Sequence, residues 1–174
     1  MENGLESRNK FKKRDRKYCQ RIFTNPKICF EKMSKTILVT GCAGFIGFHL
    51  SNKLLREGFN VLGIDNLNEY YDIEIKFSRL REIEKTSKFF NNANWQFHKG
   101  NLEDNDFLEK IFKNFKPEIV FHMAAQAGVR YSLINPKAYV RSNLLGFSNI
   151  IECSRNFKVK NFIFASSSSV YGRE

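Results

Sequence analysis

From Thr36 onward the chain alternates short apolar runs with longer stretches whose apolar residues recur every three or four positions. Near-continuous β-branched runs suit strands buried on both faces, and the longer period suits amphipathic helices. Five strands are predicted, at Thr36 to Thr40, Asn60 to Ile64, about Trp95 to Lys99, Ile119 to Met123 and Asn161 to Ala165. A helix is predicted from about Phe45 to Glu57, because Ile46, Leu50 and Leu54 fall at four-residue spacing and Gly58 is placed to end it. Others are predicted from about Glu74 to Lys85, from Asn105 to Asn114 before Pro117, and from Lys137 to Asn156 after Pro136. Strand and helix in regular alternation imply right-handed βαβ units, and so an α/β fold: one doubly wound parallel sheet within residues 33–174.

Length and composition agree with a single domain: 174 residues, 42% hydrophobic and 27% charged. Apolar stretches such as Ile119 to Val129 are broken by His122, Gln126 and Gly128. They fall short of the roughly 20 apolar residues that span a bilayer, so no membrane helix is expected. Cys19, Cys29, Cys42 and Cys153 form neither a Cys-x-x-Cys pair nor a Cys/His ligand spacing. No metal site or disulfide framework is expected, and a reducing cytoplasm fits best. His49, His98 and His122 share no spacing and read as packing or surface residues, and the 18 phenylalanines as core and sheet packing.

The net charge of +11 is unevenly spread, with ten Lys/Arg against four Asp/Glu in residues 1–32 and nineteen against fourteen in the remainder. We read residues 1–32, with their run Lys10 to Lys17, as a basic extension outside the fold, and Met33 as the expected natural start. A nucleic-acid contact by this segment is the minor reading.

The sharpest local signal is Gly41-Cys42-Ala43-Gly44-Phe45-Ile46-Gly47, a G-x-x-G-x-x-G loop between the first strand and the first helix. Glycines there let the backbone turn tightly and approach a pyrophosphate, whose oxygens meet the free N–H groups of the helix start. Asp65 ends the second strand, where a carboxylate can accept hydrogen bonds from an adenosine ribose and repel a 2′-phosphate. Together these predict a Rossmann-type site for a dinucleotide, NAD in preference to NADP. Ala124-Ala125-Gln126-Ala127-Gly128 follows the fourth strand, and its small side chains would let a ligand lie on the backbone at the switch point. After the fifth strand, Ser166 to Ser169 lead into Val170-Tyr171-Gly172 and place a row of hydroxyls at the same edge.

Taken in order, Thr40-Gly41-x-x-Gly44-Phe45-Ile46-Gly47, Gly63-Ile64-Asp65-Asn66-Leu67-Asn68, His122-x-Ala124 through Ser132, and Ala165 through Gly172 resemble the extended short-chain dehydrogenase/reductase family. With the stretch Asn66 to Asp72 the resemblance is closest to its UDP-glucuronate 4-epimerases, and it covers residues 35–172. It implies NAD-dependent epimerisation at C4 of a nucleotide sugar, UDP-glucuronate to UDP-galacturonate: hydride leaves C4 for bound NAD+ and returns to the other face. It places Ser167 on the reacting oxygen, with Ser168 and Ser169 in the substrate pocket. Along the cofactor it places Gly41, Ala43, Gly44, Phe45, Ile46, Gly47, Asp65, Asn66, Asn101, Leu102, Met123, Ala124, Ala125, Gln126 and Asn143. Asn101 stands where the family usually has an aspartate toward the adenine, and Arg141, where an acid is more usual, is expected on the solvent face. Arg130 could meet a sugar carboxylate or a phosphate. A homodimer is compatible with the reading.

The family's catalytic base belongs to a Tyr-x-x-x-Lys motif. Here Tyr18, Tyr70, Tyr71, Tyr131 and Tyr139 are followed four positions on by Ile22, Glu74, Ile75, Asn135 and Asn143. The chain is therefore expected to be the N-terminal part of an epimerase, with a bare edge on its fifth strand, and alone to bind NAD weakly without turnover. Sugar-nucleotide 4,6-dehydratases and UDP-glucuronate decarboxylases fit less well, since the family supplies acids where this chain has Ser168 and Ser169. A non-catalytic NAD-binding module, or a decayed remnant, is the alternative from another class.

Overall fold

A computed structural model describes residues 35–90 and 93–172. The basic extension and the proposed start at Met33 lie outside the described residues, as do the side chains of Ser168 and Ser169. Strands β1 (Thr36–Thr40), β2 (Asn60–Asp65), β3 (Trp95–Lys99), β4 (Ile119–His122) and β5 (Asn161–Phe164) form one sheet in the order β3-β2-β1-β4-β5, every pair parallel. The strand order reverses beside β1, which opens a crevice above the carboxyl ends of β1 and β4.

Sheet burial explains the run-like strand sequences. Ile37, Leu38 and Val39 of the central strand are at most 1% exposed, because helices cover both faces. Helix α1 (Phe45–Arg56) packs against α2 (Ile73–Phe89) on one face, and α3 (Asn105–Phe115) against α6 (Phe147–Asn156) on the other. The second face carries a hydrophobic core, where Leu38, Leu62, Ile64 and Val120 of the sheet meet Leu108, Ile111 and Phe112 of α3 and Ile150 of α6. Phe112 is fully buried, so its truncation to alanine should cost about 3–5 kcal/mol. Helix α3 starts at Asp104, whose carboxylate accepts from the Phe107 N–H at 3.0 Å, and ends at Lys116 in the left-handed conformation before Pro117.

Several predicted boundaries move, most by a single residue. Helix α2 runs to Phe89 rather than Lys85, since its polar last turn is carried by Phe90 N–H donating to Thr86 O at 3.0 Å. Met123 and Ala165 leave their strands, although their N–H groups still bond Thr40 O and His122 O. The helix expected from Lys137 to Asn156 is three pieces in succession: α5 (Pro136–Tyr139), a π-helical stretch (Val140–Gly146) and α6. A short helix α4 (Val129–Ile134), which the sequence reading omitted, precedes them. The phenylalanines are not all packing residues either, since Phe45 and Phe89 are 68% and 79% exposed. At the sheet's end, β5 pairs with β4 alone among the described residues.

Candidate functional site

Above the crevice lies an open cleft of about 1080 Å³, lined by the loops that follow β1, β2, β3 and β4. Its floor is the glycine loop. Gly41 has φ +68°, and a Cβ there would stand 2.7 Å from the Ala124 backbone. A Cβ on Gly47 would lie 2.1 Å from Gly41 O. These two glycines let α1 start directly on the loop and let the loop touch the segment after β4. Helix α1 begins with no side-chain cap and no acid in its first turn. Its orphan N–H groups and positive dipole end therefore open onto the cleft that Gly44, Phe45, Ile46 and Gly47 line.

Asp65 is 8% exposed and lines the cleft. Its carboxylate accepts from the Ala43 N–H at 3.1 Å and the Leu67 N–H at 2.9 Å, fastening the glycine loop to the segment after β2. The Lys76 ammonium stands 3.8 Å from it and donates to Asn68 Oδ1 at 2.8 Å. Burial pulls the Lys76 pKa down, and Asp65 opposes that pull. Arg79, one turn further along α2, donates from Nη1 to Ala43 O at 3.0 Å and to the Tyr71 hydroxyl at 2.9 Å. Asn66 Nδ2 donates to Asn101 Oδ1 at 3.0 Å, which joins the loops after β2 and β3.

On the other wall a short hydrogen-bond chain sets the segment after β4. The Ala124 N–H donates to Thr40 Oγ1 at 3.2 Å, and Thr40 Oγ1 is 2.8 Å from His122 Nδ1. The hydroxyl thus joins the Ala124 amide to the imidazole, which is neutral at pH 7. Burial pushes the His122 pKa down to about 4. Gln126 is held by Asn143, whose Oδ1 accepts from Gln126 N–H at 2.8 Å and whose Nδ2 donates to Gln126 O at 3.0 Å. Asn143 lies within the π-helical stretch, a feature that recurs near functional sites.

Gly41, Gly44, Phe45, Ile46, Gly47, Asp65, Asn66, Asn101, Leu102, Met123, Ala124, Ala125 and Gln126 thus come together on one cleft. Ala43 and Asn143 lie behind that lining: Ala43 is buried, and both polar ends of the Asn143 amide are engaged on Gln126. Arg130, on α4, is exposed and outside the lining, as is Ser167 beyond β5. Arg141 is exposed as expected, yet it also lines the cleft and stands 3.9 Å from Glu103. The sequence reading gave no role to Lys76, Arg79, Tyr70, Tyr71 or Tyr131, all of which line the cleft. Lys76 and Arg79 carried a usable signal, since three-residue spacing puts them on one helix face just after the second strand's loop.

With this geometry in view, the family model for GDP-mannose 4,6 dehydratase matches residues 38–174. The chain belongs to that family. It is of the short-chain dehydrogenase/reductase type that includes epimerases as well as dehydratases. "Protein CapI" of Staphylococcus aureus is 52% identical over 136 residues, covering 78% of this chain and 39% of that protein. A UDP-glucuronate 4-epimerase of Thermodesulfobacterium geofontis is 44% identical over 134 residues, covering 77% of this chain and 40% of that one. The crystal structure of a Thermus thermophilus UDP-glucose 4-epimerase complexed with NAD superposes with a TM-score of 0.60 at 34% identity, over 76% of this chain and 37% of that one. The Thermotoga maritima UDP-glucose 4-epimerase with UDP-glucose gives 0.63 at 36%, over 80% and 40%. The chain spans about two-fifths of the length of the curated relatives it matches. These family members share the parallel Rossmann-like sheet that carries the cleft.

Proposed function

We propose that this cleft holds NAD, as part of an epimerase acting at C4 of a uronate nucleotide sugar, UDP-glucuronate to UDP-galacturonate. The observation that carries the proposal is the uncapped start of α1 on a loop with no room for a side chain at Gly41 or Gly47, since a diphosphate supplies the acceptors those N–H groups lack. Asp65 takes the adenosine ribose hydroxyls with lone pairs left over from its two amide bonds, and its charge disfavours a 2′-phosphate. The small residues Ala124 and Ala125 leave the nicotinamide half space against the backbone. When bound, NAD supplies the hydride acceptor and donor. On this reading Ser167 donates to the reacting sugar oxygen, with Ser168 and Ser169 beside it and Arg130 available to an anionic group. The identities with a UDP-glucuronate 4-epimerase and with NAD- and UDP-glucose-bound epimerases support the class of reaction.

Calorimetric titration of the 174-residue chain tests the carrying claim. Saturable heat is expected with NAD, and at least tenfold weaker binding with NADP; no heat with NAD would overturn the proposal. The chain alone is expected to bind without turnover, because it contains no Tyr-x-x-x-Lys. Epimerisation of UDP-glucuronate by it would contradict that expectation.

A further inference from the structure

The segment between β2 and α2 is held at many points on its own side of the cleft. Asp65 accepts from Leu67 N–H, Lys76 donates to Asn68 Oδ1, Asn66 donates to Asn101, and Arg79 ties Tyr71 to the glycine loop. One ring of this segment reaches the opposite wall. Tyr70 packs on Tyr131 of α4 with centroids 4.9 Å apart, and a Cβ on Gly128 would fall 2.1 Å from the Tyr70 hydroxyl oxygen. Gly128 therefore provides the seat for that ring. The seat is fixed in turn by Tyr139, whose hydroxyl bonds Ala127 O and Gly128 O.

Strand order gives this contact its meaning. Because β1 lies between β2 and β4, a bridge from the segment after β2 to the segment after β4 crosses the mouth of the crevice above the glycine loop. Tyr70, Tyr131, Gly41 and Gly44 line the same cleft. A dinucleotide whose diphosphate rests on the glycine loop would lie beneath the bridge, and would have to pass it on entering and leaving.

We infer that Tyr70 is a latch: seated against Gly128 and Tyr131, it closes the segment 66–72 as a strap over the bound diphosphate and gates exchange of the dinucleotide. This rests on the dinucleotide reading above. The latch is an aromatic contact at a partly exposed site, so it is weak enough to open and strong enough to slow exchange. An aromatic pair of this kind corresponds to roughly a three- to tenfold effect on a rate.

The test is stopped-flow fluorescence of NADH mixing with, and displacement from, the full 174-residue chain. Tyr70→Ala is expected to raise the association and release rate constants together, each about three- to tenfold, with Kd changing less than either. Tyr70→Phe keeps the ring and should exchange like the unsubstituted chain. Gly128→Ala puts a methyl on the Tyr70 hydroxyl and strains a backbone held at φ +93°, so it should accelerate both rates at least as much as Tyr70→Ala does. A faster release with no faster association would make Tyr70 an ordinary binding residue and overturn the latch, and unchanged rates would overturn it too. Failure of the unsubstituted chain to bind NADH would instead refute the dinucleotide reading itself, and the latch with it.

Discussion

Acidification should destabilise this domain through one imidazole. His122 is 5% exposed, flanked by Phe147 and Phe162 at centroid distances of 5.3 and 6.3 Å, and hydrogen-bonded through Nδ1 to the Thr40 hydroxyl. Its folded pKa lies at about 4, against about 6.5 for an unfolded histidine. Between those values the unfolded chain binds the extra proton, so stability is full above about pH 6.5 and is lost as pH falls toward 4, flattening below it. Linkage across the gap gives about 2 kcal/mol lost by pH 5 and about 3 kcal/mol at the acid limit. Urea unfolding at pH 7.5, 6 and 5, followed by the fluorescence of the sole tryptophan, Trp95, measures it. His122→Gln, whose amide can still bond the Thr40 hydroxyl as donor or acceptor, removes the titration. The loss between pH 7.5 and 5 should therefore be about 2 kcal/mol smaller in the variant, whatever its absolute stability. Equal losses in the two proteins, or a His122 resonance titrating near 6.5 in the folded domain, would refute the argument.

Three substitutions probe the rest of the cleft. Gly47→Ala puts a methyl 2.1 Å from Gly41 O and must push α1 off the glycine loop, so NAD binding measured by calorimetry should fall at least a hundredfold, with loss of thermal stability. Asp65→Asn leaves one amide bond poorly matched and Lys76 buried without its counter-ion, and should cost about 2–4 kcal/mol in urea unfolding at pH 7. Asn143→Leu frees both backbone groups of Gln126; we expect about 1–3 kcal/mol of destabilisation and faster amide hydrogen exchange confined to residues near Gln126.

Much of this architecture is written locally. A strand buried on both faces is apolar along most of its length, so Thr36–Thr40 and Ile119–His122 announce themselves through Ile37–Val39 and Ile119–Phe121 without any knowledge of their neighbours. The glycine loop is equally legible, since close backbone approach admits no other residue at Gly41 and Gly47. Contacts between loops far apart in the chain leave no such periodic trace. The π-helical turn at Val140–Gly146 looks like ordinary helix in sequence, and arises where Asn143 reaches back 17 positions to Gln126. Asp65 was readable as a ligand for ribose, but its grip on the Ala43 and Leu67 amides depends on how the turns after β1 and β2 meet. Tyr70 carries no motif that announces a partner. Only the order of the strands brings it to Gly128, because hydrophobic periodicity encodes which face of an element is buried and is silent about which distant loop will stand opposite it.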